Sequence, residues 1–179
     1  MTAKSSPKAY GSIAKNLHWI TVALIIALLA SGMIADTTTD AAGKASILSF
    51  HAPLGVAVLL VTLMRLVWWW RFDTKPAPLG GDPAWQEQLA KAVHILLYVV
   101  ILGMAASGIG MFILSGAGDI LFGGAPDPLP DFNNFAPRVP HGIGAKLLLV
   151  LVIGHAGAAL YHHFVKHDGT LGRIWFTRR

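Results

Sequence analysis

The sequence contains no cysteine in 179 residues. That excludes disulfides, thiolate metal sites and cysteine-ligated iron–sulfur clusters, so any metal chemistry must run through histidine, methionine or carboxylate. Charge is scarce as well. Asp, Glu, Lys and Arg make up 13% of the chain, where a soluble domain carries about 25%. Carboxylates are missing from every long apolar run, which excludes ferritin-like di-iron centres and leaves a zinc site short of ligands. The formal net charge of +5 does not mark a nucleic-acid binder. The basic residues flank apolar segments and form no patch on a polar domain.

What is present is hydrophobic: 54% of the residues. Four stretches, at 17–35, 47–70, 93–114 and 141–165, are long enough to cross a bilayer, which takes about 20 residues of helix. The segments between them, "DTTTDAAGK", "KPAPLGGDP" and "GGAPDPLPDFNNFAPRVP", carry turn chemistry. The expected fold is an all-α integral membrane protein, a single domain over 1–179 built as a four-transmembrane-helix bundle in the lipid bilayer. The first stretch is longer than a signal-peptide core, contains His18 and lacks a clear cleavage site, so it reads as a span. Of the 14 basic residues, only Lys44, Arg138 and Lys146 fall on one side of this topology. The positive-inside rule then puts both termini in the cytoplasm. Trp68, Trp69 and Trp70 fall at the cytoplasmic interface, where aromatic side chains anchor a helix.

Into these spans the sequence places histidines. An imidazole in a span is costly unless partnered, and any one alone also has a structural reading, such as an interhelical hydrogen bond. The set is more informative, because the depths match. His18 and His94 open spans that enter from the cytoplasm, and His51 and His141 open spans that enter from outside. His155 follows His141 by fourteen residues, which places it about 21 Å deeper and within roughly 40° of the same helix face. One helix therefore presents two imidazoles at two levels, each level with a histidine on another helix. At the inner level that histidine is either His18 or His94, and depth does not choose between them. Facing imidazoles in a bundle core, with no carboxylate or thiol nearby, form the axial ligand set of a six-coordinate haem iron. The expectation is two haem b groups, one per leaflet.

Arg65 also follows its histidine, His51, by fourteen residues. A guanidinium at the inner level on that stripe has an anion in a haem propionate; the plainer reading is a side chain snorkelling to the interface. Gly55, Gly142 and Gly144 lie near His51 and His141, and small residues there allow either a flat macrocycle or a close helix to approach. The chain also repeats itself. "LHWITVALIIALLASGMIA" aligns without gaps onto "VHILLYVVILGMAASGIGM", pairing His18 with His94, Ser31 with Ser107 and Gly32 with Gly108. In the following spans His51 pairs with His141 and Arg65 with His155.

Together "NLHWI", "FHAPLGVAVLLVTLMRL", "AVHILLYVV" and "PHGIGAKLLLVLVIGHAGAALYHHF" resemble the prokaryotic cytochrome b561 family of small di-haem membrane proteins, over nearly the whole chain. The resemblance implies that His51 and His141 hold a periplasmic haem and that His18 and His155 hold a cytoplasmic one. Chains of this length resemble superoxide oxidases of the bacterial inner membrane, which pass electrons from periplasmic superoxide to ubiquinone. On that expectation Lys44, Arg138 and Lys146 are candidates for drawing in superoxide. Asp36, Asp40, Asp119, Asp127 and Asp131 on the same side allow no broad positive funnel. For the quinone, His162 is the first candidate: seven residues after His155, it returns to within about 20° of the same stripe. His94 is the second. His163 points about 80° away from that stripe, and His167 is expected in solvent. Two other functions fit the composition. One is a cytochrome b membrane subunit passing electrons between a periplasmic dehydrogenase or hydrogenase partner and the quinone pool, docking through 115–140. The other is a histidine-lined metal or proton transporter without haem.

Overall fold

Each apolar run becomes a helix longer than the run itself. The computed structural model describes residues 2–80, 83–125 and 128–176; Asp127, Arg178 and Arg179, which entered the charge pattern, lie outside them. Helix α1 covers Ser12–Thr37 and α2 covers Ala41–Val67, continued by a π-helical turn at Trp68–Phe72. Helix α3 covers Ala84–Ser115, short α4 covers Ala117–Leu121, and α5 covers Arg138–Tyr161 with a π-helical turn at His162–Lys166. Short α6 at Thr170–Ile174 follows. No strand occurs among the described residues.

The extensions have local causes. Asp40 caps α2, its carboxylate accepting from the Gly43 amide, so the helix starts before its apolar stretch. The segment "AWQEQLAKA" begins α3 well before Val93 because Ala, Gln, Glu, Leu and Lys are good helix formers, whatever their polarity. Helix α3 stops at Gly116, whose φ of 68° is a left-handed conformation that a side chain resists.

Four helices are long and apolar enough to cross a membrane: Ser12–Thr37, Ala41–Phe72, Ala84–Ser115 and Arg138–Lys166. Helix α1 packs along α2, α2 along α3, and α3 along α5. The core is Ile25, Val58, Val100, Ile101 and Leu148. Ile25 lies seven residues from His18, Val58 seven from His51, Ile101 seven from His94, and Leu148 seven from both His141 and His155. At 1.5 Å per residue the apolar core therefore sits midway, about 10 Å from each histidine level.

Both chain ends close over one face of the bundle. The Tyr10 amide donates to the Arg173 carbonyl at 3.3 Å, and the Arg173 guanidinium donates to the carbonyls of Lys8 and Pro7. Lys15, part of the flanking charge, is buried with its ammonium donating to the Trp175 carbonyl at 2.8 Å. The Trp19 indole donates to the Ile174 carbonyl, and its ring meets Trp175 edge-on at 4.9 Å. Ser5 ties down the N-terminal segment by donating to Asp73 from amide and hydroxyl. Burial alone would push the Asp73 carboxyl up, but hydrogen bonds from Ser5, Thr74 and Trp68 hold it below the usual range.

The tryptophan triplet divides its work. Trp68 stacks on Phe72 and donates its indole N–H to Asp73 at 3.1 Å; Trp69 meets Tyr10 and Lys75. Only Trp70, 84% exposed, is free to act as the membrane anchor expected of all three. The π-helical turn causes this, because it rotates successive side chains differently from an α-helix.

Candidate functional site

The histidines meet in pairs across the bundle. His51 on α2 faces His141 on α5 with ring centroids 6.3 Å apart, and His18 on α1 faces His155 on α5 at 6.5 Å. Neither α2 with α5 nor α1 with α5 is a principal packing pair, so each histidine pair spans an interior slot. Two imidazoles bound to one ion from opposite sides, each nitrogen about 2 Å from it, have ring centroids roughly 6 Å apart. Both pairs have that spacing. His94 also approaches His155, but at 5.0 Å and edge-on, a separation that suits ring contact and is short for an intervening ion. Its Nδ1 lies 2.6 Å from the Ala90 carbonyl of its own helix.

The His51–His141 pair is held from behind. Ser31 Oγ lies 2.8 Å from His51 Nδ1, and Ser107 Oγ lies 3.0 Å from His141 Nδ1. Each serine donates its own proton to a carbonyl in the preceding turn, Ala27 at 2.7 Å and Met104 at 3.0 Å. The serine oxygens are thus left to accept, which places the histidine proton on Nδ1 and leaves Nε2 as a lone-pair ligand. The glycines that follow give the rings their room. A Cβ on Gly32 or on Gly108 would stand 3.3 Å from Cε1 of His51 or His141 respectively. The internal repeat thus survives as two copies of one device, Ser-Gly on one helix supporting a histidine on the next. Sequence alignment paired these serines without revealing what they do; the signal was "ASG" at equivalent depth in both copies.

The residues around the pairs fit a flat, doubly ligated group. Among the described residues no three or more histidines or carboxylates are arranged to hold an ion. Each level therefore offers two facing histidine nitrogens, and a macrocycle would supply the remaining ligands. Nothing lies within 4 Å of a Cβ built on Gly55, one turn from His51. Thr62, fully buried and roughly 20° from the His51 stripe, carries a hydroxyl with no hydrogen-bond partner among the described residues. The Arg138 guanidinium fills the space at Gly142, and at Gly144 the Met104 thioether of α3 does so, the close-helix alternative. Arg65 lies over the Tyr98 ring at 5.4 Å, within electrostatic range of His18, His94 and His155. It makes no ion pair among the described residues.

The polar candidates at the two ends are placed unevenly. Lys44, seven residues before His51, lies in the first turn of α2, on the His51 stripe and about 10 Å further out. Arg138 sits one turn outside His141 but is ion-paired with Asp36 at 2.6 Å. Lys146 is exposed and about 140° round α5 from His141, so the fold does not bring it to the pair. At the other end His162 Nδ1 bonds the Asp168 carboxylate. The chain reverses at His167, φ 52°, and Gly169, φ 80°, which carries Asp168 back over the π-helical turn. Burial alone would raise the Asp168 carboxyl, but bonds from His162 and Thr170 bring it down to about 2. Sequence reasoning missed this partner; "HDG" after the span was its only trace. His163 and His167 are exposed, as expected.

The sequence profile of the prokaryotic cytochrome b561 family matches residues 9–177. The chain belongs to that family. It is 29% identical to cytochrome b561 homolog 1 of Escherichia coli K12, over 91% of this chain and 94% of the relative. To cytochrome b561 homolog 2 of the same organism it is 28% identical, over 97% and 95%. To the probable superoxide oxidase CybB of Yersinia pestis it is 26% identical, over 96% and 98%. As a cytochrome b561 family member with four spans, the chain is a multi-pass electron-transfer protein of the bacterial inner membrane, and the family implies b-type haem.

Proposed function

We propose that the chain holds two haem b groups and passes electrons from periplasmic superoxide to ubiquinone. His51 and His141 are the axial ligands on the periplasmic side, His18 and His155 those on the cytoplasmic side, and both termini are cytoplasmic. The observation that carries this reading is α5, which supplies one member of each facing histidine pair, fourteen residues apart. A haem with two axial imidazoles has no open coordination position and exchanges single electrons. The substrate is supported by similarity along nearly full length to a relative named as a probable superoxide oxidase.

The chain's own residues have distinct tasks in this reading. Ser31 and Ser107 fix the orientation of the outer imidazoles. Arg65 would pair with a propionate of the inner group, relieving a guanidinium that has no carboxylate partner among the described residues. Lys44, on the His51 stripe, gives the outer mouth a local positive charge, while the Asp36 ion pair mutes Arg138. Two superoxide anions release two electrons and leave as oxygen. One ubiquinone takes up these electrons with two cytoplasmic protons. In its protonated form His162 donates from Nε2 to a quinone carbonyl, and the Asp168 carboxylate at Nδ1 stabilises that imidazolium until the proton passes on.

Stopped-flow mixing of the oxidised, haem-loaded protein with superoxide tests the substrate. The expected result is haem reduction faster than spontaneous dismutation, with oxygen released. Absence of reduction on that timescale would favour the membrane subunit of a periplasmic dehydrogenase or hydrogenase.

A further inference from the structure

The two histidine pairs differ in what stands behind them. At the outer level both rings are hydrogen-bonded through Nδ1 to serine oxygens, at 2.8 and 3.0 Å. At the inner level neither His18 nor His155 has a side-chain hydrogen bond among the described residues. Instead that level faces Arg65, half-buried and without an ion pair among them. The outer cation near His141 is Arg138, whose charge Asp36 balances at 2.6 Å. Lys44 stands about two turns outside His51, where solvent and salt screen it.

These differences act in one direction on an iron held at each level. An acceptor behind a ligating imidazole makes the ligand more electron-donating, which favours the oxidised ion. A half-buried cation without a protein counter-charge favours the reduced ion. A propionate on Arg65 does not cancel the difference, because a propionate is present at either level and only the inner one meets an unbalanced guanidinium. Resting on the two-haem reading above, we infer that Ser31, Ser107 and Arg65 set the outer site at a lower reduction potential than the inner. The bias directs electrons inward. None of the three touches a reacting atom of superoxide or quinone; they are positioning residues.

The internal repeat explains how the asymmetry arises. The outer site is built from equivalent residues, His51 with Ser31 in one unit and His141 with Ser107 in the other. The inner site breaks the repeat: His18 and His155 occupy non-equivalent positions, and their counterparts are His94 and Arg65. The repeat thus places two serines at one level and one arginine at the other.

A spectroelectrochemical titration of the haem-loaded full chain tests this. The unmodified protein is expected to titrate in two one-electron waves. In the Ser31→Ala, Ser107→Ala double variant the lower wave rises, with about a tenfold change in the reduced-to-oxidised ratio, or 59 mV for one electron, and the upper wave stays. Ser31→Thr with Ser107→Thr, which keeps the hydroxyls, restores the lower wave. Arg65→Gln lowers the upper wave and leaves the lower one. The inference is overturned if the serine variants move the upper wave, or move neither while both haems remain bound. A single haem in the unmodified protein would instead overturn the two-haem reading, and this inference with it.

Discussion

Replacing His155 by leucine leaves one haem per chain, with the periplasmic spectrum intact and no electron delivery to quinone. His155 is the α5 member of the inner pair, 6.5 Å from His18 between ring centroids. Leucine fills similar volume without a lone pair, so the remaining imidazole holds iron from one side only. The expected loss of inner-site affinity exceeds the roughly 10–100-fold typical of losing an outer-shell partner. His18→Leu should reproduce it. His94→Leu should not, because at 5.0 Å the His94 ring is in edge contact with His155 and its Nδ1 is directed at Ala90. Pyridine haemochrome assays on the three purified variants give the counts: one, one and two. A His94 variant retaining one haem while His18→Leu retained two would reverse the assignment.

His162→Ala should slow reoxidation of the pre-reduced protein by a soluble ubiquinone analogue about 100-fold, in the range for loss of a general acid or base. Both haem spectra should persist, since His162 lies seven residues, about 10 Å, beyond His155. The Asp168→Asn variant separates the two parts of this site. It keeps a side chain of similar shape but removes the negative charge, so reoxidation should fall by less than in His162→Ala. The carboxyl is held down to about 2 in the fold. Its contribution is therefore fully present above the ordinary carboxylate pKa near 4 and lost only as pH falls through about 2. The rate difference between Asp168→Asn and the unmodified chain should accordingly not change from pH 5 to pH 8 through any titration of Asp168. Loss of a haem spectrum in His162→Ala would mark His162 as a ligand and sink the quinone assignment.

The architecture was legible because hydrophobic runs of membrane length have few alternatives, and because fourteen residues on a helix return to nearly the same face. That arithmetic found His141 with His155 and placed His51 and His18 at their levels. It did not separate His18 from His94, since both stand at one depth on helices entering from the same side. Ring separations of 6.5 and 5.0 Å depend on helix rotation, which no periodicity in a nearly uniform apolar helix reports. The serines were visible as a repeat but silent as to role. The Asp168 partner of His162 depended on two left-handed residues that turn the chain back, one of them His167, a residue type that seldom announces such a turn. Lys15 and Arg173 show in the sequence only as charge flanking the spans, and Trp19 only as part of "NLHWI". They became a cap because carbonyls at the chain ends needed donors.

The central claim is that two bis-imidazole haems lie at two depths in one four-helix bundle. It is tested most directly by the haem content and reduced-minus-oxidised spectrum of the purified chain. Two haem b per polypeptide are expected, both low-spin and six-coordinate, with a b-type α-band on dithionite reduction and no carbon monoxide adduct. A chain carrying no haem, or one whose iron binds carbon monoxide at an open position, would contradict it.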